Sequence, residues 1–232
     1  MKRTKRIVCL IMTAIVFGWA TYSLAETKEE VIIRNSIEVL NDLSVIPEQG
    51  IPPALLKNAY GIAIIPSLLK AGFMCGGRYG KGILLIRNES KRWSNPSFIY
   101  IAGGSFGFQI GAQSTDIVLV FKTQKSIDSI TSGKITLGVD ISFAAGPVGR
   151  LVGAGTDILL KSEIYSYSRN RGFFIGISME GAALRIHQSS NINFYKKPYI
   201  SAIEIFSNKN LEAPIIASKL RQCLIHNTRQ RN

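Results

Sequence analysis

Short apolar runs separated by glycines dominate the middle of the chain, and they predict a strongly curved β-sheet. Between Ala71 and Asp116, glycines lie at positions 72, 76, 77, 80, 82, 103, 104, 107 and 111, among runs rich in Ile, Leu and Phe. Glycine weakens a strand unless the backbone has to turn, bulge or approach another segment closely. Repeated glycine between β-type runs therefore indicates tightly turned antiparallel strands.

The apolar runs predict a series of short, separate strands. They are Tyr60–Ile65, Lys81–Arg87, Phe98–Ala102, Phe106–Gly111 and Asp116–Phe121, followed by Ile164–Ser168, Phe173–Met179 and Ala183–His187. Pro66 is expected to end the first strand, because proline cannot donate a hydrogen bond to a neighbouring strand. Ile135–Phe143 alternates apolar with polar or small residues over its whole length, which makes it the clearest strand pattern in the chain.

Helical spacing of apolar residues appears near both ends of the chain. The predicted helices are Glu26–Leu43, a short one from Pro52 to Lys57, Gln124–Ser132 ended by Gly133, and a C-terminal helix with Ile216, Leu220, Cys223 and Leu224 on one face. The fold class is therefore α+β. We expect a strongly curved, mainly antiparallel, barrel-like β-sheet flanked by N- and C-terminal helices.

The first 25 residues have the layout of a secretory signal peptide. A basic start with Lys2, Arg3, Lys5 and Arg6 precedes the apolar run Ile7–Ala20, and Ser23-Leu24-Ala25 offers small residues at a cleavage position. The apolar run is short for a membrane span. The chain is thus expected to comprise a signal peptide, residues 1–25, and a single domain, residues 26–232. The alternative is an uncleaved N-terminal anchor; after cleavage the protein would be exported, to the periplasm or cell envelope.

The charge of the remaining chain favours anionic partners. Residues 26–232 contain 24 Lys and Arg against 15 Asp and Glu, a formal net charge of +9. Phospholipid headgroups and acidic proteins fit this charge, and export makes nucleic acid the least expected partner. Cys75 and Cys223 remain in this part of the chain, either as a disulfide or, as we favour, as small buried apolar residues.

Short motifs of enzymes occur, but their contexts do not fit. Gly103–Gly107 matches the G-x-S-x-G motif of serine hydrolases around Ser105, yet that motif needs a helix after the serine and a strand pattern follows here. Gly80-Lys81-Gly82 lacks the remaining residues of a phosphate-binding loop, and residues 146–155 lack the spacing of a dinucleotide loop. The histidines and cysteines are too scattered for a metal site. We expect no cofactor, no metal and no catalytic residues.

Basic residues beside glycines are the candidate binding residues. Arginine forks and backbone N–H groups at glycine turns are good phosphate ligands, and turns gather at one end of a curled sheet. A solvated basic surface without a site is the alternative explanation. The candidate lipid-binding residues are Lys70, Arg78, Lys81, Arg150, Arg169 and Arg171.

Long blocks of the chain resemble the SYLF-domain family. The blocks are residues 59–87 (AYGIAIIPSLLKAGFMCGGRYGKGILLIR), WSNPSFI, GGSFGFQIGAQSTDIVLVF, AAGPVGR, IYSYSRNRGFFIGISMEGAAL and NFYKKPYISAIEIF, and the similarity extends from about Val31 to Leu224. One departure is Phe194-Tyr195-Lys196, where the family commonly has Tyr-Tyr-Gly. The turn at this point is therefore expected to differ.

The resemblance implies a lipid-binding module that is not an enzyme. Eukaryotic members bind phosphoinositides and associate with actin and its regulators, and exported bacterial members are lipid-binding proteins. With its leader, this chain is more similar to the bacterial kind, so actin is not expected as a partner. Two alternatives stay open: an envelope scaffolding protein that binds an acidic protein, and a serine hydrolase that uses Ser105.

Overall fold

A computed structural model describes residues 26–45, 50–88, 90–146, 162–171 and 181–229. The helices are α1 (Lys28–Val45), α2 (Pro53–Lys57), α3 (Gln124–Thr131), α4 (Gln188–Tyr195), α5 (Ala202–Ser207) and α6 (Ile215–Arg229). The strands are β1 (Gly61–Ile86), β2 (Ser97–Phe121), β3 (Lys134–Thr136), β4 (Phe143–Ala145), β5 (Ile164–Arg171) and β6 (Ala183–Ile186). The signal peptide and the strand predicted at Phe173–Met179 lie outside the described residues.

β1 and β2 form one long antiparallel ribbon, which replaces the five shorter strands that the sequence predicts. Their register runs from Gly61 opposite Phe121 to Leu84 opposite Ser97. The expectation that Pro66 ends a strand is wrong, because β1 continues through Pro66 to Ile86. The register with β2 shifts between Ile65 and Leu68. This irregularity accommodates residues that cannot pair regularly. Within it, Ser67 has a φ of 59°, and its N–H donates to the Asp116 carboxylate at 3.0 Å.

The ribbon folds back on itself, so that the two halves of β1 approach each other closely. A Cβ atom added to Gly82 would lie 2.2 Å from the backbone oxygen of Ile64, and one added to Gly80 would lie 3.2 Å from the Cα of Leu68. No side chain fits at the first of these distances, so glycine permits the approach. The strongly curved sheet expected from the glycine pattern is confirmed.

The remaining strands extend the sheet from β2. β5 pairs with the end of β2, where Ser114–Phe121 lies opposite Ile164–Arg171, and β6 pairs with its beginning, where Ile99–Ala102 lies opposite Ala183–Ile186. β3 continues the sheet beyond β6, and β4 adds a parallel pair beside β5. The sheet is mainly antiparallel and, apart from α3, the helices described lie towards the two ends of the chain, so the predicted α+β class is confirmed.

The strand predicted for Ile135–Phe143 is wrong, although the alternation there is regular. β3 ends at Thr136 and β4 begins at Phe143, with a turn between them. Gly138 has a φ of 76°, a conformation that favours glycine. The Asp140 carboxylate accepts the Thr136 N–H at 2.7 Å. A turn residue that binds its own backbone therefore ends the strand.

The N- and C-terminal helices pack together and close the core. α1 buries Ile33 and Leu40, and α6 buries Leu220 and Leu224, which confirms the apolar face predicted for the C-terminal helix. The Cys223 thiol lies 3.2 Å from the Asn41 Oδ1 atom and connects the two helices. Among the described residues, no helix has both the length and the apolar character that a membrane span requires.

Candidate functional site

The structure distributes the six predicted binding residues over different surroundings. Lys81 is exposed on β1, and Lys70 is half-buried on the same strand opposite Gln113. The backbone of Arg171 pairs with Ser114 at the end of β5. Arg150 and the side chain of Arg171 lie outside the part of the chain that is described.

Arg78 is a buried residue. Its side chain is 7% exposed, and its Nη2 atom donates to the backbone oxygen of Gly104 at 3.0 Å. Burial lowers the pKa of its guanidinium. This arginine therefore contacts the backbone of the ribbon and presents little of its surface to solvent.

Arg169 forms ion pairs with two carboxylates. Its Nη2 atom lies 3.0 Å from the Asp116 carboxylate, and its Nη1 atom pairs with Asp42 of α1. Burial lowers the pKa of Arg169, but the hydrogen bonds to Asp116 and Asp42 outweigh this and raise it above its ordinary value. These partners balance the charge of Arg169. Since they lie on α1 and β2, the two ion pairs connect both elements to β5.

Lys81 belongs to a row of residues that crosses the solvent-facing side of the sheet. It lies opposite Tyr100, Tyr100 lies opposite Arg185, and Arg185 lies opposite the backbone position of Lys134. Directly opposite residues of antiparallel strands point to the same face of a sheet. Lys81 and Arg185 are exposed, whereas Ile99, Ile101 and Leu184 point into the core.

Aromatic side chains lie within this row. The Tyr79 and Tyr100 rings are 6.2 Å apart between centroids, and the edge-to-face pair of Tyr100 with His187 measures 5.8 Å. We call Tyr79, Lys81, Tyr100, Arg185 and His187 the basic-tyrosine face. Lysine, arginine and tyrosine each have an apolar body and a polar end, a combination suited to a membrane interface.

His187 is affected by burial and by nearby charges of both signs. Burial lowers the pKa of His187 below its ordinary value, the charge of Lys81 lowers it further, and Glu29 opposes both. Glu29 lies at the border, where its carboxylate accepts the Ser190 hydroxyl at 2.9 Å. Neither Lys81 nor Arg185 forms an ion pair with a carboxylate of the described residues.

Sequence reasoning missed Arg185 and Tyr100. Both lie in runs that were predicted to be strands, so their alternation with core residues could have been inferred. Their proximity to Lys81 could not, because it depends on the register between strands that are distant in sequence. Conversely, Arg169 was included because it is basic, although its carboxylate partners lie on other elements.

The serine hydrolase motif lies within a strand. Residues 103–107 belong to β2, and the backbone of Ser105 pairs with Gly76. The strand continues to Phe121, so the helix that a nucleophile elbow requires does not follow. His187 caps α4 by accepting the Ser190 N–H at 3.3 Å. The described residues contain no group of three or more acidic, histidine or cysteine residues that could hold a metal ion.

Comparisons with known proteins identify the family. A family model described as Ysc84, Las17-binding protein actin regulator, matches residues 102–226, more than half of the chain. The chain belongs to this family, which is the SYLF-domain family. Neither the family description nor the names of the relatives denote an enzyme.

Similar proteins are found in animals and fungi. The SH3 domain-containing YSC84-like protein 1 of Xenopus laevis is 36% identical over 178 residues, which cover 74% of this chain and 53% of that protein. LAS seventeen-binding protein 3 of Saccharomyces cerevisiae is 40% identical over 151 residues, 64% of this chain and 33% of that protein. The chain thus spans about half of the length of the first relative and about a third of the second.

The names of the relatives bear on the expected partners. One relative is named as a binding protein of Las17, and the family description names actin regulation. The expectation that actin is not a partner is therefore not borne out.

Cys223, for which a disulfide with Cys75 was left open, is a free thiol, and burial raises its pKa.

Proposed function

We propose that this SYLF-domain protein binds anionic phospholipid at a membrane surface through the basic-tyrosine face. The observation that carries the proposal is the cross-strand row of Lys81, Tyr100 and Arg185 on the solvent side of the sheet. The two cations have no carboxylate partner among the described residues. They are therefore available to headgroup phosphates, and the tyrosines can lie among the headgroups.

The strength of such binding follows from the number of cations near the surface. Attraction to an anionic bilayer contributes about 1 kcal/mol for each lysine or arginine close to it. Lys81 and Arg185 alone therefore give weak attachment, to which the tyrosine rings add apolar contact. Binding is reversible and decreases as salt increases, because mobile ions screen exposed charges.

Vesicle sedimentation tests the proposal with a matched pair of double variants. Lys81→Gln/Arg185→Gln removes two charges from the basic-tyrosine face, and Lys57→Gln/Lys219→Gln removes two charges from exposed positions on α2 and α6. With vesicles that contain phosphatidylglycerol, we expect the first variant to bind about 30-fold more weakly at low salt. The second variant should bind almost as well as the unmodified protein.

Two results would contradict this mechanism. One is equal binding to phosphatidylglycerol vesicles and to vesicles of phosphatidylcholine alone, which would exclude an electrostatic contribution. The other is an equal loss of affinity in both double variants, which would show that net charge rather than this face determines binding.

A second candidate function is binding to an acidic protein partner. The observation that favours it is the family description, which names an actin regulator, together with the basic character of residues 26–232. Co-sedimentation with actin filaments in the absence of lipid tests it directly. Filament binding that depends on Lys81 and Arg185 would support this candidate. Absence of filament binding would exclude actin, and a pull-down without lipid would then test for another acidic protein partner of an envelope scaffold.

Export to the periplasm or cell envelope remains part of the proposal on the strength of the N-terminal sequence. Residues 1–25 combine a basic start, an apolar run and a small-residue cleavage position. Expression of the whole chain in a bacterial host should give a secreted product that begins at Glu26. An intact mass that includes residues 1–25 would contradict cleavage and favour an N-terminal anchor.

A further inference from the structure

A polar cavity opens beside the connection between β1 and β2, apart from the residues of the basic-tyrosine face. Its volume is about 400 Å³, within the range of small-molecule pockets. Its walls come from the β1–β2 connection, from α5 with the segment after it, and from α6. The cavity is lined by Asn88, Arg92, Trp93, Ser94, Asn95, Ile205, Phe206, Asn208, Lys209, Leu211, Ala213, Ser218 and Arg221.

The charge of this cavity is of one sign. Arg92, Lys209 and Arg221 line it, and none of the described residues that line it is acidic. Arg87 adds a further cation behind the wall, because its guanidinium carbon lies 4.2 Å from the centre of the Trp93 ring. A concave site lined by cations concentrates the electric field and attracts anions.

The arginine of α6 is held in place before any ligand arrives. Arg221 donates to Asn95 Oδ1 through Nη1 and to Ser218 Oγ through Nη2 at 2.8 Å. Both partners are uncharged, so the charge of the guanidinium is not balanced by them. Asn95 in turn donates to the Leu211 backbone oxygen at 3.3 Å, which ties the two walls together.

The backbone of Arg92 is held by hydrogen bonds to Asn88. Asn88 Oδ1 accepts the Arg92 N–H at 2.9 Å, and the Asn88 N–H donates to the Arg92 backbone oxygen at 3.0 Å. Across the cavity, Asn208 Oδ1 accepts the Asn210 N–H at 3.0 Å, which fixes the turn beside Lys209. These bonds fix the backbone positions from which the Arg92 and Lys209 side chains reach the cavity.

We propose that this cavity binds the phosphate group of a phosphate monoester. Arg92, Lys209 and Arg221 bind the phosphate oxygens, and Trp93, Phe206 and Leu211 contact the carbon portion of the ligand. Arginine matches phosphate oxygens with parallel hydrogen bonds, which makes a phosphate dianion the best match for three cations. The phosphate group belongs either to a soluble ester or to a phospholipid headgroup with a terminal phosphate.

Titration of the whole protein with glycerol 3-phosphate tests the site, with intrinsic fluorescence and calorimetry as readouts. Trp93 lines the cavity, and the sequence holds one further tryptophan, Trp19, in the leader. We expect saturable binding that Arg92→Gln/Lys209→Gln weakens about tenfold or more. Both side chains are exposed, so this variant should fold. Lys57→Gln/Lys219→Gln, which also removes two charges from exposed positions but lies outside the cavity, is the matched control and should bind normally.

Two vesicle arms identify the source of the phosphate. Binding of the unmodified protein and of Arg92→Gln/Lys209→Gln is measured with two kinds of vesicle. One contains phosphatidic acid, and the other contains phosphatidylglycerol in the amount that gives the same total charge. A preference for phosphatidic acid that this variant abolishes would identify a headgroup. Binding of glycerol 3-phosphate without that preference would identify a soluble ester.

The outcomes also separate this site from the basic-tyrosine face. Lys81→Gln/Arg185→Gln should keep its affinity for glycerol 3-phosphate even where it loses vesicle binding. The proposal is overturned if glycerol 3-phosphate does not bind at millimolar concentration, or if Lys57→Gln/Lys219→Gln and Arg92→Gln/Lys209→Gln weaken binding equally.

Discussion

Arg169 of β5 donates to the fully buried carboxylate of Asp116 in β2 at 3.0 Å. The other carboxylate oxygen of Asp116 accepts the Ser67 N–H at the irregularity in β1. One carboxylate thus stabilises three strands at the point where the long ribbon departs from regular pairing. A residue that was predicted to contact lipid has in this structure two carboxylate partners.

Replacing Asp116 by Asn should therefore destabilise the fold. The change leaves Arg169 without its buried partner, and loss of one member of a buried pair costs about 3–5 kcal/mol. Since Arg169 is 27% exposed and retains Asp42, we expect the free energy of unfolding to decrease by about 2–3 kcal/mol. Urea denaturation measures this decrease. Asp42→Asn is the control, and we expect it to cost less than about 1 kcal/mol because Asp42 is half-exposed. Equal effects of the two variants would contradict this account.

The folded ribbon makes a second prediction, at Gly82. Gly82→Ala places a methyl group 2.2 Å from the Ile64 backbone oxygen, so the two halves of β1 have to separate. We expect a loss of about 3 kcal/mol or more, the upper range for overpacking. Gly77→Ala is the matched control, because a Cβ atom there meets nothing within 4 Å. Thermal unfolding of both variants measures the difference, and a Gly82→Ala protein as stable as the control would exclude the close approach.

The departure from the family pattern at Lys196 makes a third prediction. Lys196 ends α4 in the left-handed conformation, with φ 52° and ψ 31°, at the position where the family commonly has glycine. Glycine adopts this conformation readily, so the same backbone conformation suits both the glycine of the family and Lys196. The departure in sequence therefore does not require a turn of different conformation. Lys196→Gly should raise the free energy of unfolding by about 0.5–1 kcal/mol. Lys197→Gly, which also removes a charge but lies after the helix end, should not stabilise the protein.

The histidine of the basic-tyrosine face makes a prediction about pH. Burial, with the nearby charge of Lys81, lowers the pKa of His187 below 6.5 against the opposing effect of Glu29. The unfolded chain therefore binds the proton more tightly than the folded chain does. The contribution of neutral His187 to the stability of the fold is fully present above about pH 6.5. This contribution is lost as the pH falls towards the pKa of His187 in the folded state.

Comparison with a variant isolates this contribution from that of the carboxylates. His187→Asn keeps a side chain that can cap α4 but does not titrate. Between pH 7.5 and pH 5, we expect the free energy of unfolding to decrease less in this variant than in the unmodified protein. Parallel curves for the two proteins would show that His187 does not respond to pH in the way proposed.

The sequence by itself determined the fold class, the helices at both ends and the curvature of the sheet. These features depend on local chemistry: glycine spacing, the apolar face of α6 and the glycine that ends α3. The glycine pattern also indicated close approach of backbones, although not that the approaching segments are two halves of one strand. The similarity of long blocks to the SYLF-domain family added the class of function that the site then had to fit.

Only the tertiary structure decided which basic residues share a surface. Lys81, Tyr100 and Arg185 meet because β1, β2 and β6 pair in one register. Arg169 meets Asp116 because β5 pairs with β2, and it meets Asp42 because α1 brings this carboxylate to the same guanidinium. The turn at Gly138 is different, because it depends on a local hydrogen bond from the Thr136 N–H to Asp140, which the regular alternation did not reveal. Strand register and helix packing depend on residues far apart in sequence, so no local pattern could have revealed these partners.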